Sequence, residues 1–248
     1  MPLFGSTNGI IAPRRGFVKH EFAKSVLTGA ASAATIHYMK VRVVIVNTGA
    51  CAELLAEPER FCSEARLLEC RGIADPVRRR SSLAAELALS YALSGDKLLP
   101  PAYSRDEGGR PVIGGGYVSM THSGAFAAAA FSPVPVGIDI EEPRAVSPAA
   151  ERRMLSPREL AECERSADPL YSLRRFVTKE AFLKMTGEGV FGGLAEVYAS
   201  DGRVFRRGVL SGFVREFDCA DFVCRLVTES EAEAEAHFLI TSDVDARR

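Results

Sequence analysis

At 248 residues and 47% hydrophobic content the chain is long enough for one large domain or two small lobes, with ample material for a core. A formal net charge of -1 with 25% charged residues excludes the basic excess that a generic nucleic-acid or anionic-membrane surface needs, leaving local patches as the means of holding phosphate. No run of about eighteen apolar residues is present to span a membrane, and the six cysteines (Cys51, Cys62, Cys70, Cys163, Cys219, Cys224) form neither a C-x-x-C pair nor a zinc-spaced cluster, which reads as a reduced cytoplasmic protein.

Residues 1–38 are rich in Gly, Ala and Ser, with scattered basic residues and no signal-peptide core, so a loosely ordered extension is expected there. The apolar run from Met39 to Val46 opens a strand. From Cys51 to Leu93 the pattern is helical, one or two amphipathic pieces to Cys70 and then a strong helix from Ser81 to Leu93. Arg78, Arg79 and Arg80 stand at its start, where cations oppose the helix dipole; they are either a solvated run or one side of an anion site completed by free backbone N–H groups. Gly108 to Gly116, which carries Arg110, is loop. Tyr117 to Met120 is a short strand running into Thr121-His122-Ser123-Gly124, where His122 either packs or caps, or touches a ligand. Ala125 to Phe131 is too short between Gly124 and Ser132-Pro133 for a helix and reads as a buried strand.

After the Pro-rich turn at Ser132 to Pro135, the alternation of Val136-Gly137-Ile138-Asp139-Ile140-Glu141-Glu142 predicts a strand with one apolar face and with Asp139 and Glu141 together on the other. Like charges at i and i+2 repel, so the strand is either a solvated edge or the seat of a hard divalent cation. Leu155-Ser156-Pro157-Arg158-Glu159-Leu160 carries a capping box on Ser156 and Glu159 that starts a helix running to about Arg165. A longer helix follows, with Asp168-Pro169 as its start and Gly187 and Gly189 as its stop. At about 100° per residue Leu173, Phe176, Val177, Glu180 and Lys184 share one stripe, which puts a carboxylate and an ammonium among apolar side chains. They either satisfy one another as an i, i+4 pair or belong to a site. A hairpin around Asp201-Gly202 is expected next, then strands at Phe213 to Phe217, Phe222 to Val227 and His237 to Thr241, with solvated loop or edge from Glu229 and a fraying end from Ser242.

Four ordered motifs resemble those of the 4'-phosphopantetheinyl transferases, in particular the two-lobed surfactin-synthetase-activating (Sfp) type. They are Gly109-Arg110-Pro111; Thr121-His122-Ser123-Gly124; Gly137-Ile138-Asp139-Ile140-Glu141; and Phe176-Val177-Thr178-Lys179-Glu180-Ala181-Phe182-Leu183-Lys184 with Gly187-Glu188-Gly189. Phe176 and Thr121 depart from the family's usual Trp and Ser. The resemblance covers residues 39 to 240 and makes Met39 a candidate native start.

The resemblance implies an α+β fold built as a pseudo-dimer of two similar lobes, residues 39–133 and 134–248, with the active site at their interface. The order of predicted elements agrees with two lobes of similar plan, and the length, about twice that of the trimeric family members, implies a monomer. The implied activity is transfer of 4'-phosphopantetheine from coenzyme A to a serine of an apo acyl or peptidyl carrier protein, with release of adenosine 3',5'-bisphosphate. Such carriers serve fatty acid, polyketide or nonribosomal peptide biosynthesis. Asp139, Glu141 and Glu180 would hold Mg2+ (or Mn2+), Glu180 would act as base, and Lys184 would face the transferring phosphoryl group. Arg66, Arg80, Ser82, Arg110, Thr121, His122 and Lys184 would bind coenzyme A. Two other classes fit some of the same residues. A metal-dependent phosphodiesterase or nuclease would use three acids but would want a second metal cluster and a basic, aromatic-rich surface; a non-catalytic carrier-protein or coenzyme A binding module would have no need of the acids and Lys184.

Overall fold

A computed structural model of the chain describes residues 40–188 and 193–244. The extension expected at residues 1–38, the second glycine of the helix stop, Gly189, and residues 245–248 of the end expected to fray lie outside them, whereas Ser242 and Asp243 of that end are held in the 3-10 turn Thr241–Asp243. The fold is α+β, as expected, with two mixed layers of sheet and helix. The first sheet has the order β11-β1-β5-β4-β3-β2, formed by Glu233–Leu239 (β11), Lys40–Asn47 (β1), Phe126–Ser132 (β5), Gly116–Ser123 (β4), Pro111–Ile113 (β3) and Ser104–Arg105 (β2). The second has the order β6-β10-β9-β8-β7, formed by Val136–Glu141 (β6), Val223–Thr228 (β10), Val209–Glu216 (β9), Arg203–Arg206 (β8) and Val197–Ser200 (β7).

The layering follows from strand alternation. Val44 and Val46 of β1 and Ala127 and Ala129 of β5 pack with Ala84, Leu87 and Ala88 of the helix α3, Pro76–Ser94. Val41, Val43 and Ile45 and Ala128 and Ala130 point the other way, onto Val136, Ile138 and Ile140 of β6 and Cys224 and Leu226 of β10. The alanine run of β5 is buried on both faces, and its small side chains let a helix and a second sheet approach the same strand. On the far side of the second sheet lies α6, Tyr171–Thr186, whose Ala181, Phe182 and Met185 pack with Val197, Val204, Val214 and Val227. Short helices Ala52–Leu55 (α1), Glu64–Arg71 (α2), Pro148–Met154 (α4) and Pro157–Arg165 (α5) complete the fold.

Local signals decide most element ends. The capping box at Ser156 and Glu159 forms with both hydrogen bonds, and Gly187 ends α6 in the left-handed conformation (φ 78°). Asp201 and Gly202 both take positive φ, the conformation that joins β7 to β8 as a two-residue hairpin. Three expectations are corrected. Helix α3 begins at Pro76, not Ser81, because Asp75 caps it by accepting from the Val77 N–H and Pro76 stands at its first position. The arginines at 78–80 therefore lie inside the helix, and no uncapped N-terminus precedes them. Strand β4 continues past Met120 to Ser123, paired in register up to Ser123 opposite Phe126, so His122 lies on a strand and not in a loop. Helix α6 begins at Tyr171; Asp168 instead accepts from the Leu170 N–H and pairs with Arg174 at 2.9 Å.

Candidate active site

The site is built on β6, and Gly137 sets its dimensions. An added Cβ there would lie 1.9 Å from the Ala181 carbonyl oxygen and 2.5 Å from the Met185 N, so α6 rests directly on the strand backbone. Helix residues one turn apart can then reach the acidic face of β6. Lys184 Nζ bonds Asp139 Oδ1 at 2.7 Å and the Ile138 carbonyl at 3.2 Å. Glu180, one turn earlier on the same stripe, has Asp139 and Glu141 as its charged neighbours. The helix stripe and the alternating strand thus bring Asp139, Glu141, Glu180 and Lys184 to one place. The i, i+4 relation of Glu180 and Lys184 is real, but Lys184 spends its short contact on Asp139.

The carboxylates are held from the side by β4. Thr121 Oγ1 donates to Asp139 Oδ1 (2.8 Å) and Ser123 Oγ donates to Glu141 Oε2 (2.8 Å), which Arg144 also approaches at 3.5 Å. Asp139 Oδ2 and Glu180 Oε1 are buried and have no partner. In this arrangement no three acidic, histidine or cysteine side chains among the described residues stand as a metal-ligand group. The donor set nonetheless fits a hard divalent cation: three carboxylates, two with buried orphan oxygens that are costly unless a cation or proton meets them.

Burial first, and then the charge of Asp139, push the Glu180 carboxyl up to about 7, with Lys184 opposing and Glu141 adding. A group that binds its proton more tightly folded than unfolded adds stability that is complete below its ordinary 4.5 and is lost as pH rises through about 7. In the presence of a chelator, the melting temperature of the protein should therefore fall between pH 5 and pH 8, and Glu180→Gln should flatten the decline. Parallel melting curves for the two proteins across that range would show that Glu180 ionises without cost.

The remaining predicted residues divide. Arg66 is held in a partly buried network, donating to Glu86 Oε1 (2.7 Å), Ser82 Oγ (2.7 Å) and the exposed Glu69 Oε2 (2.6 Å), while the Tyr103 hydroxyl donates to the same Glu86 oxygen (2.7 Å). Ser82 and Arg66 are thus brought together, and the positive charges of Lys184, Arg78 and Arg66 bear on His122. Partial desolvation, reinforced by those cations, holds the imidazole of His122, which occupies an exposed position of β4, below its ordinary range. Arg80 lies apart: it is exposed and lines a small cleft with Leu55, Pro76, Arg79 and Leu83. The charge of Arg78, two residues earlier, is the one on this helix that bears on His122. The signal that would have separated the two was Asp75-Pro76, which fixes the helix start and puts residues 78, 82 and 86 on one face. Arg110 pairs with Asp106 at 3.1 Å and stands against Gly187, where a Cβ would meet its guanidinium at 2.8 Å. Thr121 is engaged with Asp139.

Lys179, next to Glu180, takes a different role. It is fully buried and donates to Glu159 Oε2 (2.6 Å) and to the carbonyls of Met154 (2.8 Å) and Leu194 (2.9 Å). It ties α6 to the start of α5 and to the segment entering β7, and does not face the acidic strand.

Residues 135–227 match the family model described as the 4'-phosphopantetheinyl transferase superfamily. A 4'-phosphopantetheinyl transferase, psf-1, of Bacillus pumilus is 31% identical over 115 residues, 44% of this chain and 48% of that protein. The chain thus spans about half the length of the curated relative it matches. A solved structure, the holo-[acyl-carrier-protein] synthase of Thermotoga maritima, is 26% identical, covers 40% of this chain and 64% of its own, and superposes with a TM-score of 0.32. Asp139, Glu141, Glu180 and Lys184 all lie inside the segment that matches the family model.

Proposed function

From the premise that residues 135–227 carry the 4'-phosphopantetheinyl transferase segment, as the sequence motifs expected, we propose that the protein transfers 4'-phosphopantetheine from coenzyme A to a serine of an apo acyl or peptidyl carrier protein, in the manner of the Sfp type. The observation that carries this reading is the meeting of Glu180, Asp139, Glu141 and Lys184 across the α6–β6 contact, with buried orphan oxygens on two of the three acids.

In the proposed reaction the carrier serine gives its proton to the Glu180 carboxylate as its oxygen forms a bond to the phosphopantetheine phosphorus of coenzyme A. The bond from that phosphorus to the oxygen bridging the adenosine phosphate breaks, and adenosine 3',5'-bisphosphate leaves with the electron pair. Glu180 suits the task, since an environment that lifts a carboxylate toward neutrality makes it a stronger base than a solvated one. Lys184, held in place by Asp139, brings a fixed positive charge to the same spot, where charge builds on the transferring phosphoryl group. Arg66, Arg78 and His122 on one side and Arg110 on the other are the groups proposed to receive the phosphates of coenzyme A; the rigid attachment of Arg66 to Glu86 and Ser82 lowers the entropy lost on binding. Mg2+ (or Mn2+) held by Asp139, Glu141 and Glu180 would supply neutralisation of the pyrophosphate.

The direct test is intact-mass measurement of apo carrier proteins incubated with the protein, coenzyme A and Mg2+. A mass gain of one phosphopantetheine is expected, and none when chelator is present during the incubation. Binding of carrier and coenzyme A with no mass gain on carriers of all three pathway types would instead assign a non-catalytic binding module.

A further inference from the structure

The alternation of β4 is matched against that of β6 rung by rung. Ser119 Oγ accepts from the Ile138 N–H at 3.1 Å; Thr121 Oγ1 donates to Asp139 at 2.8 Å; Ser123 Oγ donates to Glu141 at 2.8 Å and accepts from the Glu142 N–H at 3.4 Å. Strand β6 is the edge of its sheet, and these three hydroxyls meet its otherwise open side. The turn after β4 is fastened to the same strand: the Ala125 N–H donates to Glu142 Oε1 at 2.8 Å, and Gly124 takes a positive φ (52°) that favours glycine, where a Cβ would also push the Glu142 carboxylate aside.

The result is a definite assignment of carboxylate oxygens. Asp139 Oδ1 is held by Thr121 and Lys184, which leaves Oδ2 buried and unpartnered; Glu141 is held through Oε2. A hydroxyl that donates to one oxygen of a carboxylate fixes the rotation of the group and hence the direction in which the other oxygen points. Thr121 is 7% exposed, so its hydroxyl has little water to turn to.

We propose that Thr121 and Ser123 are positioning residues that orient Asp139 and Glu141 toward a shared divalent cation, with Glu142 and Gly124 locking the turn that keeps the two hydroxyls in register. This rests on the reading of Asp139 and Glu141 as cation ligands. It also gives the Thr-His-Ser-Gly segment two faces with separate duties: the hydroxyls at 121 and 123 serve the acids, and His122, on the opposite face of β4, serves the basic side of the site.

Mn2+ titrated into the full chain, with and without saturating coenzyme A and followed by electron paramagnetic resonance of the free ion, tests it. Thr121→Val and Ser123→Ala should each weaken Mn2+ binding by about 10–100-fold, Thr121→Ser should restore it, and the coenzyme A affinity of Ser123→Ala in chelator should stay at the wild-type value. Mn2+ affinity unchanged in both variants while Asp139→Ala abolishes it would overturn the positioning role and leave the ligand reading intact. Absence of Mn2+ binding by the wild-type chain under either condition would overturn both. A Thr121→Val protein that binds Mn2+ weakly because it is unfolded would be exposed by its melting curve, and Ser123→Ala, a truncation at a half-buried position, then decides the matter.

Discussion

Replacing Glu180 with glutamine should lower phosphopantetheine transfer by about 10²–10⁴-fold while leaving the fold and carrier binding in place. Glutamine has the same shape and can still occupy the space between β6 and α6, but it accepts no proton and offers a cation no charge. Because the carboxylate is pushed up to about 7 by burial and by Asp139, the neutral variant loses an unfavourable ionisation, so reduced activity cannot be ascribed to an unstable protein. Initial rates from carrier mass spectra, set beside melting curves and carrier affinity, make the comparison. A glutamine variant that turns over at the wild-type rate would remove Glu180 from the chemistry and with it the reading of α6 as the catalytic helix.

The neighbouring lysine should behave in the opposite way. Lys179→Met preserves the aliphatic stem but leaves Glu159 as a buried carboxylate without its ammonium, together with two carbonyls, of Met154 and Leu194, stripped of a donor. Breaking a buried pair from one side costs about 3–5 kcal/mol, equivalent to a fall in melting temperature of roughly 6–20 °C for a chain of this size. Burial pulls the Lys179 ammonium below its ordinary range and the Glu159 charge works against that pull, so the ion pair is held together by mutual need. Adding Glu159→Gln to the methionine variant should recover part of the loss, as a double-mutant cycle would show. A methionine variant as stable as wild type would mean that the pair contributes no more than an exposed one. Adjacent residues of one motif thus divide the work: Lys179 holds α6 in place and Glu180, on the proposed function, uses that placement.

Several elements were legible in the residues alone because their causes are local. The period-2 alternation of β6, the stripe of Leu173, Phe176, Val177, Glu180 and Lys184, the capping box at Ser156 and the Asp201-Gly202 turn each depend on neighbours within a few residues. The start of α3 was legible too, in Asp75-Pro76, but the more apolar Ser81 to Leu93 run hid it.

What only the tertiary structure decided is long-range. Strand β11 pairs in parallel with β1, so Glu233–Leu239 extends the sheet begun by Lys40–Asn47 nearly two hundred residues earlier, and nothing in the alternating Glu-Ala pattern of β11 names that partner. Lys179 differs from Lys184 only in facing a buried Glu159 where the other faces Asp139, and both are lysines on one helix until α5 and β6 are placed. Thr121 and Ser123 read as a loop motif beside a histidine until β4 is seen to run through them and against β6. The physical reason is the same in each case. Periodicity and caps record which face of an element is apolar and where it ends, whereas the partner of a buried charge or hydroxyl is chosen by sheet order and register, through contacts between residues far apart in the chain.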